Sequence, residues 1–316
     1  MKDIRIAILG MTEGNGHPYS WSAIINGDYD PEEMEHCGFP VIPEYLASAP
    51  KGALGIPGAM VTHVCCDDPK DAEHVARAAL IPHIVEKPED VIGHVDAVII
   101  GTDIGSQHVE RARPFIEAGL PLFIDKPLAD NEADLKTFIA WKQAGKKFLS
   151  SSAMRYVPDY EKYRTTPLEE FVGPVRYVTI NTAKKWETYG IHALECVYPM
   201  LKPGFVSVRN TGTFEKNIVH IKHGSGVDLV IAAIYDMQAG MPLICGTKGH
   251  EYLVNTDTAF PIFKAQLVAA IEFFKTGEDP YPFEETVELM KIIIAGIKSR
   301  EQGGKEIFLK DILSGS

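Results

Sequence analysis

Short runs of consecutive apolar residues alternate with helix-like stretches through the first part of the chain. The runs are residues 5–10, 61–66, 97–101 and 121–124, with a further short strand expected at 147–151. Unbroken apolar runs are typical of strands buried on both faces of a parallel sheet. The helix-like stretches follow at residues 69–80, 107–118 and 132–144. This alternation predicts right-handed crossovers and a parallel sheet with helices on both faces.

The pattern changes after the short strand at 147–151. Residues 175–183 and 217–235 contain apolar and polar positions with a period of two, which predicts strands with one face on a core and one face free. Helical patterns cover residues 190–201, 263–275 and 286–302. We therefore predict an α/β protein with a parallel-sheet domain in residues 1–125 and, in residues 126–316, an α+β domain built on an open, largely antiparallel sheet.

Residues 27–59 interrupt the first strand–helix–strand unit. This stretch is rich in proline, glycine and acidic residues, and it is longer than the usual connections of a compact domain. Two interpretations stay open with equal weight: an insertion with a function, or a decoration of the surface.

Glycines cluster in the loop that follows the first strand. Gly10, Gly14 and Gly16 precede Pro18, a residue suited to the first turn of a helix. Glycines at a helix N-terminus let the backbone approach a cofactor pyrophosphate, although this spacing differs from GxGxxG. The candidate cofactor-binding residues of the loop are Gly10, Met11, Thr12, Gly14, Asn15, Gly16 and His17.

An acidic residue stands where the second strand ends. When residues 27–59 are left out, Asp67 occupies the place of the carboxylate that binds the adenosine ribose of a dinucleotide. An acid there accepts from the ribose hydroxyls and repels an extra phosphate, which favours NAD over NADP. Asp67-Asp68-Pro69 is also a good helix start, so a purely structural role is the alternative.

Composition excludes several classes of protein. The 31 Lys and Arg residues are outnumbered by 43 Asp and Glu, and the net charge of −12 opposes binding to phosphate backbones. We expect no nucleic-acid partner. The first apolar run is too short for a signal peptide or a membrane span, so we expect no membrane association. Five cysteines without a CxxC pair favour a reducing compartment, and we predict a cytoplasmic protein.

Several motifs together resemble the Gfo/Idh/MocA oxidoreductases, the family of glucose-fructose oxidoreductase and inositol dehydrogenase. Residues 96–102, with His108 six residues further on, are similar to the family's fourth strand and helix. Ile124-Asp125-Lys126-Pro127 is similar to its Glu-Lys-Pro motif, with Asp125 in place of Glu. The resemblance covers nearly the whole chain. Further similar segments are residues 154–158, 172–175 and 246–249.

The resemblance implies a Rossmann dinucleotide-binding domain in residues 1–125, with NAD or NADP as cofactor, and a substrate and oligomerisation domain in residues 126–316. It also implies that Lys126 contacts the nicotinamide and the substrate hydroxyl, and that His192 is the acid/base. The family's Asp-x-Gly-x-His motif is present as residues 188–192, where Thr188 replaces the acid. The cofactor-binding candidates added by the resemblance are Thr102, Asp103, His108, Asp125 and Lys126.

The chemistry of alcohol oxidation supports these two catalytic candidates. A proton must leave the hydroxyl near neutral pH, and histidine, with an ordinary pKa of about 6.5, is a natural base. A lysine acts most simply as a charged hydrogen-bond donor to the developing alkoxide. The alternative for Lys126 is a solvated lysine in a loop, followed by a turn-forming proline. Helical spacing places Glu195 on the face of His192, where it could hold the histidine tautomer.

Polar and aromatic side chains near His192 are candidate substrate ligands. Sugars and cyclitols are bound through hydrogen bonds and an apolar face, and the alternative is that these residues form an exposed connector. We predict no metal site: a strand would point His220 and His223 to opposite faces, and Cys65-Cys66 lacks a partner histidine motif. The substrate candidates are Arg155, Lys184, Trp186, Thr188 and His192.

We therefore expect an NAD(P)-dependent oxidoreductase that moves a hydride between nicotinamide and a hydroxyl or keto carbon of a sugar, polyol or related small molecule. Two alternatives stay open. Thr188 and the unusual glycine loop favour a dinucleotide-binding regulator without turnover, and NAD could also assist a glycoside hydrolase or lyase. The free sheet face and the resemblance predict a homodimer or homotetramer.

Overall fold

The computed structural model describes residues 3–314, which form two compact units. The first unit contains the described residues up to Asp125, residues 138–150 and residues 258–280. The second unit contains residues 126–137, residues 151–257 and the described residues from Tyr281 onward. The chain therefore crosses between the two units several times.

A six-stranded parallel sheet with strand order β3-β2-β1-β4-β5-β6 organises the first unit. This is the order of a doubly wound, dinucleotide-binding sheet, and the predicted fold class is confirmed. The strands are β1 (Ile4–Leu9), β2 (Ala59–Cys65), β3 (His83–Ile84), β4 (Ala97–Ile100), β5 (Leu122–Ile124) and β6 (Phe148–Leu149). The helices up to β6 are α1 (His17–Asn26), α2 (Pro31–Glu35), α3 (Val41–Ala47), α4 (Pro69–Ala78), α5 (His108–Glu117) and α6 (Glu132–Gln143), with 3₁₀ turns at Pro88–Val91 and Gly105–Gln107.

The apolar runs form the core of this sheet. Ile6 and Ile8 in β1, like Val98 and Ile99 in β4, have no exposed surface. Helices α1, α4 and α5 pack on the strands, which explains why these runs lack the polar alternation of a sheet with a wet face.

Residues 27–59 are an ordered connector that contains α2 and α3. The Asp30 carboxylate accepts hydrogen bonds from the Glu32 and Glu33 amides at the start of α2. The two ends of the connector meet, because the backbones of Gly27 and Gly55 approach so closely that a Cβ on Gly27 would lie 3.1 Å from the Gly55 Cα. This segment is therefore held by its own cap and by packing against the rest of the unit.

A seven-stranded sheet with order β12-β11-β7-β10-β9-β8-β13 organises the second unit. All strand pairs are antiparallel except β7 with β10, so the predicted largely antiparallel sheet is confirmed. The strands are β7 (Val175–Ala183), β8 (Phe205–Asn210), β9 (Lys216–His223), β10 (Asp228–Ile234), β11 (Leu243–Gly246), β12 (Gly249–Tyr252) and β13 (Ile307–Phe308). The remaining helices are α7 (Glu161–Thr165), α8 (Glu169–Val172), α9 (Trp186–Leu201), α10 (Ala259–Thr276), which belongs to the first unit, and α11 (Phe283–Glu301), with 3₁₀ turns at Ala153–Tyr156, Pro158–Tyr160 and Leu309–Asp311.

Alternation along the strands of this sheet separates a buried face from an open one. In β9, Asn217, Val219 and Ile221 are fully buried, whereas Ile218 is 38% exposed. Helices α9 and α11 pack on the strands. The exposed apolar side chains include Tyr177, opposite Asp228 in the register of β7 and β10.

Five strands lie where the pattern predicted none: β3, β8, β11, β12 and β13. Residues 205–210 alternate only weakly, and β11 and β12 are four-residue strands joined by the Thr247-Lys248 turn. Helix α9 also begins earlier than predicted, at Trp186, because Lys185 still has an extended backbone and ends the preceding loop.

Trp186 packs between two helical glycines. A Cβ on Gly190 would lie 2.5 Å from the Trp186 ring, and a Cβ on Gly296 would also collide with the indole. The indole N–H donates to the Ile293 carbonyl at 3.0 Å. Trp186 is therefore part of the second unit's core, with no exposed surface.

We expect Gly190→Ala to lower the free energy of unfolding by about 1–3 kcal/mol, the usual cost of overpacking a core. Replacing a glycine by alanine normally stabilises a helix interior, so a loss of stability in this variant would indicate overpacking. Urea unfolding of G190A measures the loss. Gly249→Ala, where a Cβ meets open space, is the matched control. A G190A protein as stable as G249A would contradict the packing of Trp186.

Candidate active site

The glycine loop begins with a residue that only glycine suits. Gly10 has a φ of +78°, and a Cβ there would lie 2.6 Å from the Thr102 side chain. The Gly10 amide donates to the Cys65 carbonyl, and the Asn15 amide donates to the Thr12 carbonyl. The loop therefore leaves the C-terminal end of β1 in close contact with β2 and with Thr102, just after β4.

Side chains hold the end of this loop against Asp125. The Asn15 amide nitrogen donates to the Gly101 carbonyl at 3.3 Å and to the Asp125 carboxylate at 3.0 Å. His17 stacks on Trp21 with ring centroids 4.0 Å apart, and its Nε2 lies 3.4 Å from the Asp125 carboxylate. The acid of the Asp-Lys-Pro motif is 1% exposed, so it orders the loop from inside the unit.

The other loop candidates lie around the same turn. Gly14 has a positive φ of +77°, whereas Gly16 precedes α1 and a Cβ there would lie 2.7 Å from Phe39 and Ile42. Those two side chains come from the connector of residues 27–59, which therefore packs against the N-terminal end of α1. Met11 is the loop's remaining candidate, half-buried between Gly10 and Thr12.

The candidates that follow β4 are buried. The Thr12 hydroxyl donates to the Asp103 carboxylate at 2.7 Å, and Nε2 of the fully buried His108 lies 2.9 Å from the Thr102 carbonyl. His108 thus orders the Thr102 backbone. The Thr102 hydroxyl is buried without a hydrogen-bond partner among the described residues.

A cavity of about 370 Å³ lies at the C-terminal ends of β1, β2 and β4. Asp67 lines it, as predicted from its place after β2, and both carboxylate oxygens of Asp67 contact the Arg111 guanidinium at 2.6 and 2.9 Å. The lining residues are Leu9, Gly10, Cys65, Asp67, Pro88, Glu89, Ile100, Gln107, Glu110, Arg111 and Phe115.

These features fit the adenosine half of a dinucleotide. The lining mixes apolar side chains, which suit a base, with a carboxylate for ribose hydroxyls. The cavity also has a close backbone approach at Gly10, and it lies outside the carboxyl ends of parallel strands. The unsatisfied Thr102 hydroxyl is a further polar group beside the glycine loop. Residues 3–314 contain no group of three His, Cys, Asp or Glu side chains arranged to hold a metal ion.

In the second unit, Tyr189 brings the two predicted catalytic side chains together. The Lys126 ammonium lies 5.3 Å from the centroid of the Tyr189 ring. The His192 ring meets the same tyrosine edge-on, with centroids 4.9 Å apart. Lys184 has a left-handed backbone, with a φ of +55°, and its ammonium lies 4.5 Å from the Tyr189 ring. One aromatic side chain therefore contacts Lys126, His192 and Lys184.

A second cavity, of about 190 Å³, lies beside this cluster. Tyr189 and His192 line it together with backbone and side chains of β7. Thr188 occupies the first turn of α9, one helical turn before His192, and is half-buried. The cavity is lined by Met154, Ile180, Asn181, Thr182, Tyr189, His192, Ala193, Ala239 and Gly240.

Ser152 contacts His192, and Glu195 does not. The Ser152 hydroxyl lies 2.7 Å from the His192 Nδ1 and accepts the Met154 amide at 3.1 Å. Glu195 instead accepts from the Ser152 amide and the Arg155 guanidinium. The expectation of a Glu195–His192 hydrogen bond is therefore wrong: the carboxylate is directed to a buried cation.

Two of the substrate candidates lie in the core. Arg155 pairs with Glu195 and, at 2.8 Å, with Glu285, and its guanidinium lies over Tyr281 at 3.8 Å. Its side chain is 7% exposed, and Trp186 is enclosed as described above. A sugar would have no access to either side chain, so the site proposed below omits both.

We expect Arg155→Met to lower the free energy of unfolding at pH 7 by about 3–5 kcal/mol, the usual effect of removing one partner from a buried ion pair. Burial raises the pKa of Glu195, and the charge and hydrogen bond of Arg155 act in the opposite direction. Removal of the guanidinium therefore raises this pKa further, and folded R155M gains stability relative to its unfolded chain when Glu195 takes up a proton. Stability lost in R155M should therefore be partly regained as the pH falls from 7 to 5.

Urea unfolding of R155M at both pH values measures this effect, with Arg209→Met, an exposed arginine on β8, as the control. If R155M lost no more free energy of unfolding than R209M, the structural role of Arg155 would be contradicted. The same holds if the difference in stability between the two variants were equal at pH 7 and pH 5.

Three residues of the site were not predicted from the sequence. Tyr189 lies inside the motif of residues 188–192, and its aromatic character was the available signal. Ser152 and Arg111 act through partners 40 and 44 residues away, and no local pattern indicates such pairs.

Comparison with known proteins supports the predicted family. A family profile described as "Oxidoreductase family, NAD-binding Rossmann fold" matches residues 45–151, which include Asp67, Thr102 and the Asp-Lys-Pro motif. This segment matches the model of the Gfo/Idh/MocA oxidoreductase family. The predicted relationship to this oxidoreductase family is thus confirmed. None of the curated proteins compared with the sequence matches it.

Solved structures with this family's architecture are similar over nearly the whole chain. Scyllo-inositol dehydrogenase from Lactobacillus casei, with bound NAD(H) and scyllo-inositol, is 13% identical over 98% of this chain and 100% of its own, with a TM-score of 0.72. Myo-inositol 2-dehydrogenase from Lactobacillus plantarum is 14% identical over 97% and 99%, with a TM-score of 0.74. An oxidoreductase from Agrobacterium radiobacter, in complex with NAD+, L-tartaric acid and magnesium, is 12% identical over 98% and 99%, also with a TM-score of 0.74. At these identities the similarity shows the fold.

Proposed function

We propose that the protein is an NAD-dependent dehydrogenase of a small polyhydroxylated substrate, with Lys126 and His192 as its catalytic residues. One observation carries the proposal: a buried lysine and a histidine meet at the ring of Tyr189 beside a cavity of about 190 Å³. A hydrogen-bond donor and a proton acceptor at one site are what alcohol oxidation requires from a protein.

When bound, NAD supplies the hydride acceptor. Lys126 donates a hydrogen bond to the reacting oxygen and stabilises the negative charge that develops there. His192 accepts the hydroxyl proton, while Ser152 holds its ring through Nδ1. Thr188 stands in place of the family's acid and carries no charge, so the histidine acts without a neighbouring Asp on its helix.

The cofactor residues proposed in the first unit are the glycine loop, Asp67 and the buried groups after β4 and β5. Their support is the ordered loop, the cavity at the strand ends and the carboxylate at its wall. We propose NAD over NADP because Asp67, Glu89 and Glu110 line this cavity, and one arginine offsets only part of their charge against an extra phosphate.

For the substrate we propose a sugar or a cyclitol. The walls of the cavity beside His192 are mainly apolar, with Met154 and Ile180 among them, and His192 adds a polar side chain. Sugar rings need both kinds of contact. Lys184 and Thr188 are the other proposed substrate residues, and the inositol dehydrogenases of similar fold support this substrate class.

We further propose that residues 1–125 bind the cofactor. Residues 126–316 bind the substrate and form a homo-oligomer. The exposed apolar residues on the open sheet face, such as Tyr177 and Ile218, support self-association through that face. The five cysteines are free thiols, which supports a cytoplasmic location. Within residues 3–314, no helix has the length and apolar character needed to cross a bilayer.

A spectrophotometric screen tests the proposed function. Purified protein is incubated with NAD or NADP and a panel of cyclitols, aldoses and polyols, and reduced nicotinamide is followed at 340 nm. We expect reduction with at least one cyclitol or sugar and a preference for NAD. Tight NAD binding without turnover on any of these alcohols would favour the regulator, and cleavage of a glycoside without net reduction would favour the hydrolase or lyase.

A further inference from the structure

The wall of the first cavity contains both an acid and an arginine. Arg111 lies on α5, and its Nη1 and Nη2 contact the two Asp67 carboxylate oxygens at 2.9 and 2.6 Å. Nε and Nη2 also donate to the Gln107 side chain at 3.2 and 3.1 Å. The guanidinium is therefore held from two sides, which makes its place at the cavity wall well defined.

The guanidinium also lies close to the glycine loop. A Cβ on Gly10 would be 3.3 Å from the Arg111 Nη1, so the cation sits between the backbone of Gly10 and the end of β2. This is the part of the cavity where the proposed function places the adenosine ribose. An acid at this place binds the 2′-hydroxyl of NAD, whereas an arginine nearby accommodates the 2′-phosphate of NADP.

The Asp67–Arg111 ion pair determines whether this site binds a 2′-hydroxyl or a 2′-phosphate. Each carboxylate oxygen of Asp67 can accept a second hydrogen bond in addition to the one from Arg111, so the pair still binds a ribose diol. A 2′-phosphate would instead lie against the Asp67 carboxylate and near Glu89 and Glu110. Without the Asp67 charge, the fork of Arg111 faces the same space and matches a phosphate bidentately.

We propose, on the basis of the proposed dinucleotide function, that Arg111 is a cofactor-specificity residue: Asp67 neutralises its guanidinium in the NAD-binding protein, and removal of that carboxylate makes Arg111 the ligand of a 2′-phosphate. Neither residue is required for the chemical step. The pair is therefore a determinant of cofactor choice that can be changed without altering Lys126 or His192.

Two adenosine fragments test this proposal without turnover. Isothermal titration measures the Kd of 5′-AMP, which has a free 2′-hydroxyl, and of adenosine 2′,5′-bisphosphate, which carries the 2′-phosphate. We expect the unchanged protein to bind AMP more tightly. Asp67→Asn should bind the bisphosphate about 10- to 100-fold more tightly than the unchanged protein, the gain usual for a charge-assisted hydrogen bond.

The double variant D67N/R111Q separates the arginine from a simple loss of negative charge. We expect it to lose the gain seen in D67N. Arg113→Gln is the matched control, because Arg113 lies on the same helix but packs over Trp141, and its affinities for both fragments should equal those of the unchanged protein. Asp67→Ser is a second neutral variant, and the Asp67 side chain is 57% exposed, so either change leaves the core intact.

Three results would overturn the specificity role: no gain for the bisphosphate in D67N and D67S, an equal gain in D67N/R111Q, or an equal effect of R113Q. The proposed function has a separate failure. If neither AMP nor NAD binds the unchanged protein, the dinucleotide assignment itself is wrong.

Discussion

Lys126→Ala should reduce kcat by about 100- to 1,000-fold, the usual effect of removing one hydrogen-bond donor from a developing oxyanion. The Lys126 side chain is buried, with 3% exposed, and its ammonium reaches the Tyr189 ring. Because the cofactor residues proposed in the first unit are unchanged, the Kd of NAD should change far less than kcat. Steady-state kinetics with the substrate found in the screen, together with titration of NAD, measure both quantities.

Lys162→Ala is the matched control for this variant. Lys162 also lies over a tyrosine ring, with its ammonium 4.6 Å from the centroid of Tyr163. It is exposed, however, and lies outside the Asp-Lys-Pro motif. K162A should retain full turnover. Equal kcat values for K126A and K162A would remove Lys126 from the mechanism, and a loss of NAD binding as large as the loss of kcat would make it a cofactor ligand only.

His192→Gln should reduce kcat by about 100- to 10,000-fold, the range that general acid–base catalysis contributes. A base that accepts the hydroxyl proton makes alcohol oxidation slower as the pH falls, since its protonated form cannot act. The unchanged enzyme should therefore show an acid limb in the pH dependence of kcat, and H192Q should lose that limb. The pH profile distinguishes a base from a residue that only supports the fold.

His223→Gln is the control for His192. Its Nδ1 lies 2.8 Å from the Ser225 hydroxyl, an arrangement similar to that of His192 with Ser152, but it lies at the end of β9. H223Q should keep both kcat and the acid limb. Retention of an unaltered acid limb in H192Q would mean that another group accepts the proton.

Much of the first unit followed from local pattern. The unbroken apolar runs predicted a parallel sheet because strands covered on both faces need no polar alternation. The same argument placed Asp67 at the C-terminal end of a strand, and the structure puts it at the wall of the cavity there. The glycine loop could be located for the same reason, as it follows the first run directly.

The second unit shows where local pattern fails. Trp186 follows two lysines and precedes an acid, a polar context that indicated an exposed connector, yet its indole lies between glycines of two helices. Arg155 was a candidate ligand because a guanidinium can hydrogen-bond to a sugar. Its charge is balanced by Glu195 and Glu285, which are 40 and 130 residues away, so only the folded chain reveals that it is structural.

Hydride transfer itself provides the most direct test of the central claim. The substrate found in the screen is prepared with deuterium on the reacting carbon, incubated with NAD and the protein, and the recovered nicotinamide is analysed by mass spectrometry. We predict one deuterium per reduced cofactor with the unchanged protein, and in K126A the same label formed about 100- to 1,000-fold more slowly. Reduced cofactor without deuterium, or consumption of the substrate while NAD stays unlabelled, would contradict a dehydrogenase mechanism.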